Sequence, residues 1–192
     1  MFTGIIEELG QVQNISKRAG NTLFQIKADR VLADVNIGDS IAVNGVCLTI
    51  IKKERQVLFF EVIPQTLRST NLGNLRVSER VNLERSLKIG DRLSGHFVTG
   101  HIDCTGIIRK KNYLRQDMNL VIGIPKQFIR YCIPKGSIAV DGISLTLAET
   151  RSDTFTVYII PHTLKNTTLG FKAPPNKVNI EFDILTKRSE IN

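Results

Sequence analysis

The sequence predicts an all-β protein: two tandem, homologous, small closed β-barrels, each with a short helix. Three observations predict it. The chain repeats itself, its apolar runs are of strand length and type, and its length suits two small domains. Ser40-Ile41-Ala42-Val43-Asn44-Gly45-Val46-Cys47-Leu48-Thr49 recurs as Ser137-Ile138-Ala139-Val140-Asp141-Gly142-Ile143-Ser144-Leu145-Thr146, an offset of 97. The same offset maps Ile63-Pro64-Gln65-Thr66-Leu67 onto Ile160-Pro161-His162-Thr163-Leu164, and Val81-Asn82-Leu83-Glu84 onto Val178-Asn179-Ile180-Glu181. Between positions 40 and 84, 17 of 45 residues equal their partners without a gap, which chance does not produce. Near the start, Thr3-Gly4 matches Thr99-Gly100. Each copy is too long for a solenoid repeat, so each is read as a domain.

The elements follow in order. Phe24-Gln25-Ile26-Lys27, Ile41-Ala42-Val43 and Val57 to Val62 are β-branched or aromatic runs bounded by turn residues. Asn44-Gly45 and Asp141-Gly142 favour the positive φ values of a tight hairpin turn, so each joins its flanking strands. Val31-Leu32-Ala33 and Phe128-Ile129-Arg130 occupy equivalent places and predict one short helix per half. About six strands and one helix in each half fit a small barrel, whose closure removes exposed edges. The expected divisions are residues 1–97, residues 98–185 and a short tail, 186–192.

Composition excludes several classes. Of 192 residues, 42% are apolar and 23% charged, which is ordinary globular usage. No apolar run reaches the ~18–20 residues of a membrane span. Met1 to Gly10 holds two acids and no base, unlike a secretory signal. Three cysteines without a CxxC fit neither a disulfide framework nor a zinc ribbon, and predict a cytoplasmic location. The net charge of +8 is spread evenly, with 13 basic residues in each half, and there is no Trp. A dispersed charge and few aromatics argue for a solvated surface over a nucleic-acid footprint. His96 and His101, near Asp103 and Cys104, match no metal-ligand spacing.

The divergences between halves carry the functional reading. Cys47 is matched by Ser144, Ile5 by His101, Gln65 by His162, Asn44 by Asp141 and Glu61 by Tyr158. Alone, Cys47 reads as a small core hydrophobe and Ser144 and Thr146 as strand hydroxyls bonded to backbone. Together, in matched segments, they point to two related but unequal pockets.

These segments, with Met1-Phe2-Thr3-Gly4-Ile5-Ile6-Glu7 and Gly95-His96-Phe97-Val98-Thr99-Gly100-His101-Ile102-Asp103, resemble the trimeric all-β riboflavin synthase family from Met1 to about Asp183. The resemblance implies that each barrel binds one 6,7-dimethyl-8-ribityllumazine. One molecule donates a four-carbon unit to the other, giving riboflavin and 5-amino-6-ribitylamino-pyrimidinedione, with no metal or redox cofactor. It implies catalytic roles for Cys47, His101, Ser144, Thr146 and Asp183, with Asp183 orienting Ser144. It assigns Gly4, Ile5, Ile6, Cys47, Leu48, Thr49, Glu61, Val62, Ile63, Pro64, Gln65 and Thr66 to the first barrel's substrate. To the second it assigns Gly100, His101, Ile102, Ser144, Leu145, Thr146, Tyr158, Ile159, Ile160, Pro161, His162 and Thr163, with Lys135 nearby. It also implies a homotrimer whose working site lies between the first barrel of one subunit and the second of its neighbour. Trimers of this family are held by a C-terminal helix. The nine residues after Asp183 fall short of the ~12–15 at which an isolated helix becomes marginal, which counts against the trimer. The alternative is a non-catalytic lumazine-binding antenna protein. The presence of Cys47, His101, Ser144 and Thr146 favours the enzyme.

Overall fold

The computed structural model describes residues 1–114 and 117–188. It contains two six-stranded antiparallel barrels. The first is built from β1 (Glu8–Arg18), β2 (Asn21–Lys27), β3 (Ser40–Val43), β4 (Val46–Glu54), β5 (Val57–Val62) and β6 (Arg80–Arg85). Its strands run β1-β2-β5-β4-β3-β6 around the barrel. The second uses β7 (Cys104–Leu114), β8 (Asp117–Gly123), β9 (Ser137–Val140), β10 (Ile143–Thr150), β11 (Thr154–Ile159) and β12 (Lys177–Phe182), in the equivalent order.

Period-two alternation decides the inward faces. In β2, Thr22, Phe24 and Ile26 are buried, and in β5, Leu58, Phe60 and Val62. Phe24 stands opposite Phe60, so large rings meet across the pair. Each barrel fills its interior with its own apolar cluster, Ile26, Ile41, Leu58 and Phe60 in one and Ile122, Ile138, Phe155 and Phe182 in the other. Register shifts fall at matched places, Val12/Asn14 and Ile108/Lys110, then Ile50/Lys52 and Leu147/Glu149. Bulges at these points bend the long strands around a small closed sheet.

The hairpin reading holds in both halves. Asn44 and Gly45 have φ values of 46° and 79°, Asp141 and Gly142 48° and 78°, as a type I′ turn requires. The two turns abut. A Cβ on Gly45 would lie 2.6 Å from the Gly142 nitrogen, and one on Gly142 2.7 Å from the Gly45 nitrogen. The barrels are thus related by an approximate dyad through these turns, which only glycine backbone can approach so closely.

The helical reading was too sparse. The expected helices are 3-10 turns, Arg30–Asp34 and Lys126–Tyr131. Each half also forms an α-helix that was not expected, α1 (Pro64–Ser69) and α2 (Pro161–Asn166). Proline at the first helical position fixes φ and lacks the N–H that would be unpaired there, so it starts a helix. A third helix, α3 (Ile184–Arg188), runs across the expected boundary between the second barrel and the tail. Residues 189–192 of that tail lie outside the described residues.

Candidate active site

Two straps build the site. Residues 2–6 lead into β1 and residues 98–102 into β7, and Phe2 bridges to Val98 between them. Each strap is clamped by a buried carboxylate of the last strand of its own barrel. Glu84 accepts from the Thr3 N–H and Oγ1, both at 2.7 Å, and from the Gly4 N–H at 3.1 Å. Glu181 accepts from the Thr99 N–H at 2.6 Å, the Thr99 Oγ1 at 2.8 Å and the Gly100 N–H at 2.9 Å. Burial pushes both carboxyls above their ordinary pKa, with the strap hydrogen bonds opposing it. These acids were missed in the sequence. The pattern Val-Asn-(Leu/Ile)-Glu, an acid ending an apolar strand in both repeats, could have found them.

The straps cross over. The Ser144 N–H donates to the Gly4 carbonyl at 2.8 Å, and the Cys47 N–H to the Gly100 carbonyl at 2.9 Å. Ile6 packs on the core of the second barrel and Ile102 on the core of the first. This corrects the grouping drawn from the sequence. Gly4, Ile5 and Ile6 belong with Ser144, and Gly100, His101 and Ile102 with Cys47. The cause is the abutting hairpin turns, which set the start of each barrel's fourth strand beside the other barrel's strap.

On the first barrel, β4 carries half-buried Cys47, buried Leu48 and exposed Thr49. Pairing of β4 with β5, with Ile50 opposite Phe60, brings them beside Glu61 and Val62. Ile63 leads into α1, whose first turn is Pro64, Gln65 and Thr66. Glu61 accepts from the Asn21 side chain at 3.0 Å. Gly100 is buried beneath and His101 is exposed above.

On the second barrel, β10 carries Ser144, Leu145 and Thr146 beside Tyr158 and Ile159 of β11. Ile160 leads into α2, which begins Pro161, His162 and Thr163. Lys135 is exposed, and its N–H donates to the Leu147 carbonyl at 2.8 Å, which ties it to β10. Gly4 is buried at this site and Ile5 is exposed.

Ser144 has a partner that the sequence reading left out. Its Oγ lies 2.7 Å from Nδ1 of buried His96. Burial holds the His96 imidazole below its ordinary pKa, with Asp183 nearby opposing this. The neutral ring is thereby favoured, and Nδ1 can exchange a hydrogen bond with the hydroxyl. The Asp183 carboxylate accepts from the Leu185 N–H at 3.0 Å at the start of α3. Cys104 and Cys132 have thiols pushed up by burial to about 12. Among the described residues no cluster of three or more His, Cys, Asp or Glu is placed to hold a metal ion.

Comparison with known proteins gives the class. A lumazine binding domain model matches twice, over residues 3–86 and 99–183. The class is therefore that of proteins with duplicated lumazine-binding barrels. A riboflavin synthase of Actinobacillus pleuropneumoniae is 45% identical over 99% of this chain and 88% of its own. One from Chlamydia pneumoniae is 44% identical over 97% and 92%. Solved structures of LumP complexed with riboflavin, and with 6,7-dimethyl-8-(1'-D-ribityl) lumazine, superpose with TM-scores of 0.88 and 0.86. Both are 26% identical and cover 95% of this chain and 99% of theirs. The chain belongs to the riboflavin synthase family, whose members are transferase enzymes.

Proposed function

We propose that this chain converts two molecules of 6,7-dimethyl-8-ribityllumazine into riboflavin and 5-amino-6-ribitylamino-pyrimidinedione. The two products contain the atoms of two substrates, so the reaction is a dismutation. The observation that carries the reading is the crossed strap pair. It sets His101 over the Cys47 strand and leaves Ile5 over the Ser144 strand, giving two related pockets with unequal chemistry.

The chemistry needs a carbanion from the acidic C7 methyl of one lumazine and an electrophilic C7 on the other. His101, exposed beside Cys47, serves as proton donor and acceptor at one ring. The Cys47 thiol adds to that ring or holds the water that does. At the other ring, Ser144 and Thr146 hydrogen-bond the pterin, with His96 orienting Ser144. Asp183 contributes charge beside His96. Strand and strap amides read the uracil-like edge, while Glu61 holds ribityl hydroxyls where Tyr158 does not. Holding two rings face to face supplies much of the rate, since effective molarities reach ~10⁵–10⁸ M.

The two rings meet between copies of the chain, the first barrel of one copy facing the second of another in a homotrimer. Support lies in the apolar groups around the pockets. Ile5, Ile63, Tyr158 and Ile160 are each 46–59% exposed in the single chain, unusual for substrate-adjacent hydrophobes. Residues 1–97 and 98–185 act as the two substrate domains, and the reaction runs in the cytoplasm. Among the described residues no helix is long and apolar enough to cross a membrane.

The test mixes catalytic amounts of protein with 6,7-dimethyl-8-ribityllumazine and follows flavin absorbance. Multiple turnovers are expected. Tight binding without flavin would overturn the enzymatic reading in favour of a lumazine carrier.

A further inference from the structure

A cleft of about 770 Å³ lies between the barrels, and none of the substrate segments lines it. One wall comes from residues 74–80 of the first barrel and the other from residues 171–177 of the second. We infer that this cleft binds an aromatic phosphate monoester, a ligand of the nucleotide class, at a site separate from the lumazine pockets.

Arg76, Arg80 and Lys177 line the cleft, and none has a carboxylate within ion-pair distance among the described residues. Glu79 is the one acid in the lining, so the free balance is 3 − 1 = +2. The fourth base, Lys172, is neutralised by buried Asp141. A phosphate monoester carries about −1.5 to −2 at neutral pH, which complements that balance. Arg80 and Lys177 are equivalent in the repeat, so the dyad turns both barrels' cations into one cleft.

The cleft also holds an unpaired donor. Asn44 lines the cleft and is 1% exposed. Its Oδ1 accepts from the Asn82 N–H at 2.9 Å, which fixes the orientation of the amide. Its backbone N–H and carbonyl are paired with Asn82 and Asn179. Its Nδ2 has no hydrogen-bond partner among the described residues. The other half closes the same place. There Asp141 replaces Asn44, Lys172 replaces Leu75, and the two form an ion pair. Nδ2 opens onto the cleft, so a phosphate oxygen entering there meets a donor already held in place by the Asn82 bond.

An exposed ring selects the aromatic part. Phe171 is 54% exposed at the cleft, beside Leu75 and Pro175. Its open ring face suits stacking of a planar heterocycle. The volume lies within the ~300–1,000 Å³ of small-molecule sites.

Isothermal titration of the full chain with adenosine 5′-monophosphate, adenosine and inorganic phosphate tests the site. The nucleotide is expected to bind, with adenosine and phosphate each at least about tenfold weaker. Arg80→Ala and Lys177→Ala remove exposed side chains, and each is expected to weaken binding about tenfold. Phe171→Ala should do the same. Riboflavin at saturation should leave the nucleotide bound. No binding at millimolar nucleotide, displacement by riboflavin, or wild-type affinity in the alanine variants would each overturn the proposal. Phosphate binding as tightly as the nucleotide would overturn the aromatic class.

Discussion

The Gly4 carbonyl accepts the Ser144 N–H at 2.8 Å, so the first residues of one barrel pair with the fourth strand of the other. Gly100 and Cys47 repeat the relationship at 2.9 Å. The start of each barrel's fourth strand is therefore paired by its companion's strap. The duplication does more than supply two binding units, because each unit finishes the other.

Gly4→Ala is expected to damage this arrangement. Gly4 has φ +78°, and an added Cβ would lie 2.7 Å from both Ser144 Cβ and the Ser144 nitrogen. The strained φ alone costs about 1 kcal/mol, and the clash with backbone adds to it. Gly20 has φ +87° with open space around it, so Gly20→Ala isolates the φ cost. Melting curves and turnover should show Gly4→Ala losing at least about tenfold in kcat/KM, with Gly20→Ala near wild type in activity. Equal activities would mean that the strap does not shape the site.

The strap clamps predict a loss of stability. Glu84→Gln can keep an oxygen on the two Thr3 donors, but its NH2 then takes the Oε2 place and faces the Gly4 N–H. A buried unpaired donor costs about 1–3 kcal/mol, and that loss should appear as a lower Tm. Glu181→Gln should cost a similar amount, because its three bonds repeat those of Glu84. A wild-type Tm in both variants would show that the straps are held by other contacts.

His96 predicts an acid-sensitive step in stability. Its pKa is lowered by burial in the folded state, against 6.5 in the unfolded chain. Below 6.5 the unfolded chain binds the extra proton first, so stability falls as pH drops from there towards the folded value. Denaturant unfolding between pH 7 and pH 5 should show this slope, and His96→Gln should flatten it. An unchanged slope in the variant would assign the effect to other groups.

Much of this was legible in the sequence. The offset of 97 gave both barrels, and Asn-Gly and Asp-Gly gave both hairpins, because those signals are local. The Pro64 and Pro161 helices were missed because an Ile-Pro pair after a strand also reads as a loop. The crossing of Gly4 to Ser144 spans 140 residues, and nothing local encodes it. It follows from the close approach of Gly45 to Gly142, a tertiary fact that periodicity does not record. The His96–Ser144 contact was hidden for the same reason, since His96 was weighed only against its sequence neighbours.

Thiol chemistry separates the three cysteines. Cys104 and Cys132 have pKa values pushed up to about 12 by burial, so almost no thiolate forms at pH 8. Cys47 is half-buried beside the exposed His101 strap. Iodoacetamide at pH 8 should therefore label Cys47 first, as peptide mass mapping would read. If Cys47 works on the pterin ring, turnover should fall in step with that labelling, and bound riboflavin should slow both. Cys132→Ser should leave labelling and turnover unchanged, whereas Cys47→Ser should abolish the label and cut kcat by about 10²-fold or more. Full turnover after complete labelling of Cys47 would return this residue to a packing role. The proton transfers would then rest on His101 and on the His96–Ser144 pair.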